Sequence, residues 1–231
     1  MATTVKVAAI IVAGGEGARM QAGRNKVFLE VAGQSILDRS LGLMESSPEV
    51  GEIVLVARAT EITKCESLRA KYRKLTDVVS GGDVRHRSEF AGVQALAARI
   101  DAREIDGVLV HDAVRPFASR ELVRRLLAGI DGVVGCVPGL KVSPTTVRVV
   151  DAWLDGHPSN LWAVQTPQAF EATWLLEAHN RAARQGFVGT DTASVIEWAG
   201  GEVAVIEGEA DNIKITTPAD LIRAEQIAAR R

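Results

Sequence analysis

The sequence predicts an α/β fold, a mostly parallel sheet flanked by helices and carrying an extended β arm. Three observations support it: short β-branched runs recur along the chain, helical patterns separate them, and one proline-interrupted stretch breaks the alternation. Val5 to Val12 is a run of β-branched residues and alanines stopped by glycines, which suits a parallel strand covered on both faces. Ile53-Val54-Leu55-Val56, Val108-Leu109-Val110 and Val133-Val134-Gly135-Cys136-Val137 repeat the pattern as further strands. Ser35 to Met44, Ser88 to Ile100 and Ser119 to Ile130 space their apolar residues as helices do. Strands alternating with helices imply right-handed crossovers. From Pro138 to about Asn160 the rhythm fails, because Pro138, Gly139, Pro144 and Pro158 interrupt the β-prone segment Thr145 to Val150. That segment is expected to leave the main sheet as an arm or hairpin. Helical spacing resumes from Glu171 to Arg184 and from Pro218 onward, where Thr217 suits a cap and Pro218 a first helical position.

Composition narrows the function classes. With 231 residues, a net charge of −2, 47% hydrophobic and 24% charged residues, the chain reads as globular rather than disordered. The near-neutral charge argues against nucleic-acid binding through bulk positive charge. Cys65 and Cys136 are too few for a disulfide framework or a cysteine-based zinc site, which fits a reducing, cytoplasmic compartment. No stretch reaches the length of a membrane span, and the opening apolar run leads straight into glycines.

The strongest local pattern is Ala13-Gly14-Gly15-Glu16-Gly17-Ala18-Arg19-Met20 after the first strand. Glycines there let the backbone turn and present N–H groups to phosphate oxygens, although a plain strand-to-helix turn has the same composition. A dinucleotide fingerprint needs a glycine where Ala18-Arg19 fall, and a P-loop needs Gly-Lys-Ser/Thr; neither is present. Arg19 in the loop and Lys26 beyond it supply the fixed positive charge that transfer of a phosphoryl or nucleotidyl group requires.

A second pattern runs from Ser80-Gly81-Gly82-Asp83 to Ser88, a turn capping a helix expected to begin near Ser88. It suits a base edge or phosphate, and equally suits plain capping. His86 within it reads as exposed. In the third, Val108 to Phe117, a strand ends in Asp112, at the edge where open parallel sheets bind ligands. A carboxylate beside polyphosphate needs a cation between them, so Asp112 points to magnesium (Mg2+) or a hydroxyl partner; the alternative is an Asp112–Arg115 pair closing the loop. His111 reads as packing beneath the strand end. The clusters Gln165 to Gln168, Gly189 to Ser194 and Asp211 to Thr216 read singly as turns or caps, while their threonines and Lys214 together suit a small phosphorylated polyol.

Taken in order, AGGEGARM, the lysine six residues beyond Met20, GGDVRHRS, VHDAVRPF, AVQTPQAF, GTDTAS and DNIKITTPADL cover the chain from Ala9 to about Leu221. Together they resemble the cytidylyltransferases that act on 2-C-methyl-D-erythritol 4-phosphate and their close relatives acting on ribitol 5-phosphate. The resemblance implies a Rossmann-like sheet and one nucleotidyltransferase domain over residues 1–231. It also implies a homodimer formed through an arm at residues 138–160, CTP as co-substrate and Mg2+ as cofactor. It assigns catalysis to Arg19, Lys26 and Lys214. Ala13, Gly14, Gly15 and Gly17 would line the CTP phosphates, and Gly82, Asp83 and Ser88 the cytosine and ribose. Asp112 and Arg115 would face the acceptor, with Asp112 the metal ligand. Thr146, Thr166, Thr190 and Lys214 would surround the acceptor, Thr146 reaching in from the other subunit.

Against the family pattern, Asn25 and Val27 flank Lys26 where proline and glutamine are usual. Thr145-Thr146-Val147-Arg148 replaces Asp-Thr-Ile-Lys, and Pro158 stands where an arginine meets the acceptor phosphate. Arg148 and Lys141 offer charge from the same arm. The expected reaction joins CTP to 2-C-methyl-D-erythritol 4-phosphate, with ribitol 5-phosphate or another polyol phosphate as the alternative acceptor. A nicotinamide-dependent oxidoreductase and a non-catalytic nucleotide-binding protein are the rival classes. The missing fingerprint glycine counts against the first, and pyrophosphate release separates the second.

Overall fold

The computed structural model describes residues 6–14 and 25–231. In chain order its first half runs β1 (Val7–Val12), β2 (Glu30–Val31), β3 (Gln34–Ser35), α1 (Ile36–Ser46), β4 (Val50–Ala57), α2 (Ile62–Glu66), β5 (Leu75–Ser80), α3 (Arg85–Asp101) and β6 (Gly107–Asp112). It continues with α4 (Arg120–Ala128), β7 (Gly135–Lys141), β8 (Arg148–Val150), β9 (Trp153–Gly156), β10 (Trp162–Val164), β11 (Gln168–Glu171), α5 (Ala172–Gln185), α6 (Thr192–Trp198), β12 (Val203–Glu207) and α7 (Pro218–Ala228).

The main sheet has the order β10-β7-β11-β6-β1-β4-β5, with β12 paired to β7. β1 lies parallel to β4 and β6, β4 to β5, and β12 to β7, while β10 and β11 run antiparallel to their neighbours. The apolar runs are continuous because both faces are covered. Ala8, Ile10, Val54, Val108 and Val110 pack beneath α3 and α5 through Val93, Leu96 and Leu175. Ala9, Ile11, Ile53, Leu55 and Leu109 pack on the other face against Leu37 and Leu41 of α1 and Leu122 of α4. A Cβ on Gly92 would stand 2.5 Å from Ile10 Cγ2, so glycine permits the close approach of α3 to the sheet.

Ser35 and Ser119 cap α1 and α4 as their side chains accept from Asp38 N and Leu122 N. Three expectations shift. The helix placed near Ser88 begins at Arg85, which leaves the Ser88 hydroxyl free to turn back on the preceding loop. His86 is buried rather than exposed, its ring stacked on His179 of α5 with centroids 5.3 Å apart. The segment expected to leave the sheet at Pro138 stays in it through Lys141, because Gly139 to Lys141 pair with β10. Only beyond it does the chain form the separate β8–β9 hairpin.

Helix α7 starts as anticipated, with Thr217 and Asp220 forming a reciprocal capping box around Pro218. Burial alone would raise the Asp220 carboxyl, but hydrogen bonds from Thr216 and Thr217 outweigh it and hold the pKa at about 2, below the ordinary 3.8. Its stabilisation is therefore complete above the ordinary value and lost as the pH falls towards 2. Asp220→Ala should lower stability by about 1 kcal/mol at neutral pH. In thermal denaturation the gap to the parent should close in acid.

Candidate active site

The carboxyl ends of β1, β4, β5 and β6 open on a cavity of about 560 Å³, within the roughly 300–1,000 Å³ typical of small-molecule sites. Each strand contributes wall: Ala13 and Gly14 follow β1, Arg58 follows β4, Gly81 to Arg85 follow β5, and Asp112 ends β6. Lys26, on a short 3-10 turn, and Lys214 and Thr216, from the loop before α7, complete it. Among the described lining residues, Lys26, Arg58, Arg85 and Lys214 are cationic and only Asp83 and Asp112 anionic, so the cleft favours an anion.

Asp112 is buried between two of these cations. Arg85 Nε donates to Oδ1 at 2.9 Å and Lys214 Nζ to Oδ2 at 2.7 Å. Burial alone would raise the carboxyl, but Arg85, Lys214 and Arg115 outweigh it and hold it well below the usual carboxylate range. The Asp112–Arg115 pair considered from sequence does not form. Arg115 Nη1 donates instead to Asn212 O at 2.9 Å and Nη2 to Val164 O at 3.3 Å.

Behind the carboxylate, Asp112 N donates to Thr166 Oγ1 at 2.9 Å. The Thr166 hydroxyl proton then goes to His111 Nδ1, 3.2 Å away, and His111 Nε2–H donates to Arg115 O at 3.2 Å. Burial lowers the His111 pKa to about 4, so the ring is neutral and structural, as its place beneath the strand end suggested.

Lys214 rides on a strap fastened by side-chain amides. Gln165 Nε2 donates to Glu209 O at 2.8 Å and Oε1 accepts from Glu209 N at 3.0 Å, while Asn212 Nδ2 donates to Thr166 O at 2.9 Å. Ile215 N then donates to Val114 O at 2.9 Å, laying the strap along the loop after β6. Across the cavity, Gly82 N donates to Ser88 Oγ at 3.2 Å, so Ser88 shapes the turn it lines. A Cβ on Gly82 would collide with Arg87 Cβ, which explains glycine there. Asp83 pairs with Arg87 at 2.8 Å on the surface. Asn25 donates to Ala13 O at 3.2 Å and accepts from Val27 N at 3.3 Å, tying Lys26 to the end of β1.

Ala13, Gly14, Lys26, Gly82, Asp83, Ser88, Asp112 and Lys214 thus meet around one cavity. Gly15, Gly17 and Arg19 lie outside the described residues. Thr166 and Arg115 stand behind Asp112 rather than in the wall. Thr190 is exposed, its hydroxyl 3.5 Å from Ser194 Oγ, and Thr146 and Arg148 sit out on the arm, where Arg148 pairs with Asp155 at 2.7 Å; none of the three lines the cavity. Arg85 and Arg58 are wall residues that sequence reasoning did not assign. The signal for Arg85 was its position just past a glycine-pair turn at a strand end.

The family model for 2-C-methyl-D-erythritol 4-phosphate cytidylyltransferase matches residues 7–230. A protein of that name from Geobacillus kaustophilus is 40% identical over 227 residues, covering 96% of this chain and 97% of its own. One from Bacillus licheniformis is 40% identical over 222 residues, covering 94% of each. The solved 4-diphosphocytidyl-2C-methyl-D-erythritol synthase of Anaerococcus prevotii superposes with a TM-score of 0.84 at 30% identity, over 99% of this chain and 97% of that one. The Thermus thermophilus cytidylyltransferase does so at 0.75 and 30%, over 97% and 100%.

Removing the Asp112 carboxylate leaves Arg85 and Lys214 facing each other. Asp112→Ala should cost about 1–3 kcal/mol in urea denaturation, less than the ~3–5 of a fully buried pair because both cations reach solvent. Since the folded carboxyl titrates below its ordinary range, this loss should stay constant above that range and diminish only in strong acid.

Proposed function

The chain belongs to the 2-C-methyl-D-erythritol 4-phosphate cytidylyltransferase family, and from that premise we propose that it joins CTP to 2-C-methyl-D-erythritol 4-phosphate, releasing pyrophosphate on the route to isoprenoid precursors. The observation that carries the reading is the cationic cleft at the strand ends, with Lys214 and Arg85 flanking an ionised Asp112. An oxygen of the acceptor phosphate attacks the α-phosphorus of CTP. The new P–O bond forms as the bond to the α–β bridging oxygen breaks, and its electron pair leaves with pyrophosphate. A phosphate oxygen needs no side chain to remove a proton first. Catalysis then consists of positioning and of stabilising the charge that gathers on the α-phosphate oxygens. Lys26 and Lys214 place ammonium groups in the wall for that task, with Arg19 assigned to it by the resemblance. Gly82, Asp83 and Ser88 form the wall assigned to the nucleoside, and Gly14, Gly15 and Gly17 belong with the triphosphate.

Magnesium fits the donor set. Among the described residues Asp112 is the one carboxylate of the cavity wall that ends a strand, and each of its oxygens keeps a lone pair beyond the bond from Arg85 or Lys214. Mg2+ bound through one carboxylate and substrate phosphates asks for no larger protein cluster. Among the described residues there is no group of three or more His, Cys, Asp or Glu side chains placed to hold a metal ion. Asp112 would hold the ion, and the ion would neutralise phosphate charge.

A homodimer through the arm completes the proposal. The β8–β9 hairpin exposes Val149, Val150, Trp153 and Leu154, with Trp153 79% exposed, a surface that suits burial against a second copy. Thr146 and Arg148, remote from the cavity of their own chain, would then serve the partner's acceptor site. The surface pair of Arg148 with Asp155 is weak enough to yield to a phosphate. The cytoplasm, where buried free thiols such as Cys65 and Cys136 stay reduced, is the proposed location.

A coupled pyrophosphate assay tests the reaction. Turnover should require both CTP and 2-C-methyl-D-erythritol 4-phosphate, stop with EDTA and return with Mg2+. Lys214→Ala should lower kcat by about 10²–10³-fold. A kcat/KM favouring ribitol 5-phosphate or another polyol phosphate by more than about 10²-fold, a gap of roughly 2.7 kcal/mol, would replace the acceptor and keep cytidylyl transfer. Sedimentation should give a dimer, and Trp153→Glu with Leu154→Glu a monomer with a raised acceptor KM. A fully active monomeric parent would contradict the arm's role.

A further inference from the structure

Beyond the residues assigned above, α3 carries one fully enclosed carboxylate. Glu89 is 1% exposed and lies one turn after Arg85. Its Oε1 accepts from Arg85 Nη1 at 2.5 Å and from Thr192 Oγ1, at the start of α6, also at 2.5 Å. Its Oε2 is buried without a hydrogen-bond partner among the described residues. Burial pushes the Glu89 carboxyl up to about 7 against the pull of Arg85 and Thr192. An apolar side chain would fill the same space at lower cost, so packing does not account for a carboxylate here.

Arg85 is the bridge. Its Nε reaches Asp112 on β6 and its Nη1 reaches Glu89, so carboxylates on two elements fix the guanidinium plane. Without the charge on Glu89 the guanidinium is free to turn two parallel donors onto Asp112, the bidentate arrangement arginine favours with a single carboxylate. Asp112 would then be drawn away from Lys214 and from substrate. At the other end, Thr192 follows Asp191, whose carboxylate caps α6 and accepts from Gln168 Nε2 at 3.1 Å, and Thr190 comes just before. Lys214, Asp112, Arg85, Glu89 and Thr192 therefore form a continuous polar chain from the strand end to the first residue of α6.

We propose that Glu89 is a positioning residue for the transfer reaction: by holding Arg85 and Thr192 on one oxygen, it sets Asp112 and the Thr190–Thr192 turn in register to receive the acceptor. The proposal rests on the cytidylyltransferase reading, which places Asp112 and Thr190 on the acceptor side.

Steady-state kinetics of the full chain at about pH 8, where the Glu89 carboxyl is mostly ionised, test it in three forms: the parent, Glu89→Gln, and Glu89→Gln combined with Thr192→Asp. Glutamine keeps the volume and an oxygen for both donors while removing the charge. Glu89→Gln should raise the acceptor KM about tenfold and leave the CTP KM within about twofold, with little change in melting temperature. Aspartate at 192, in place of the hydroxyl that meets the same Glu89 oxygen as Arg85, returns a carboxylate beside Arg85 and should recover most of the loss. An unchanged acceptor KM, parallel rises in both KM values, or a double variant no better than the single would overturn the proposal. If the parent itself fails to release pyrophosphate with 2-C-methyl-D-erythritol 4-phosphate, the reaction assignment fails. Amide exchange then judges Glu89 alone: Glu89→Gln should speed exchange at residues 190–194 at equal global stability, and unchanged exchange would overturn the positioning role.

Discussion

Asp112 keeps its charge at a buried strand end because Arg85 and Lys214 each hold one of its oxygens. An isolated carboxylate there would be driven to take up a proton. Two cations, one on each carboxylate oxygen, reverse that preference, and each must be delivered by its own piece of fold. Arg85 arrives on the first turn of α3, which the glycine pair and Ser88 bring close to the end of β5. Lys214 arrives on the strap that Gln165 and Asn212 fasten through main-chain contacts.

The sheet topology explains why those fasteners are within reach. In a parallel sheet the carboxyl ends collect on one edge, and ligands bind in the crevice there. β11 runs antiparallel to β6, with Gln168 opposite Val110, so its beginning lies beside the end of β6. The segment Gln165 to Pro167 therefore enters at the site edge. Thr166 can support Asp112 N while Gln165 holds the strap. A parallel strand in that position would have brought the same turn to the opposite edge of the sheet.

This division also marks what the sequence could reveal. Strands were legible because apolar runs reflect burial on both faces, and the wall residues Gly14 and Asp112 were legible because they follow those runs, while Gly82 was marked by its glycine-pair turn. Pairing at a distance was not. Adjacency offers Arg115 as the alternative protein partner of Asp112, whereas the side chain that reaches Oδ1 belongs to Arg85, 27 positions away. Arg85 stands in a turn that suits plain capping as well as a base edge or phosphate, and nothing local singles it out as that partner. His86 misled for a related reason, since its burial depends on a ring from α5 that no local pattern announces. Pro138 suggested a break because it lacks an N–H, yet the strand continues past it and its carbonyl still accepts from Gln165 N at 2.7 Å. Thr146 keeps the family's threonine and Arg148 offers charge in place of its lysine, but a single chain leaves both on the arm, outside the cavity wall.

The same contacts bear on how a cleft can hold a carboxylate and still receive phosphates. An ammonium carries three donors, and Asp112 Oδ2 takes one from Lys214, whose side chain remains 40% exposed. The remaining donors stay available to the cavity. Pairing with Asp112 thus fixes the position of the Lys214 nitrogen without exhausting it, and an incoming anion meets a cation already placed at the end of β6. Glu89 extends that economy by engaging Arg85 from the protein side. The carboxylates at the base of the cleft therefore act mainly as anchors: they fix where the positive charge stands before substrate arrives, the preorganisation from which electrostatic stabilisation of a transferring phosphoryl group draws its strength.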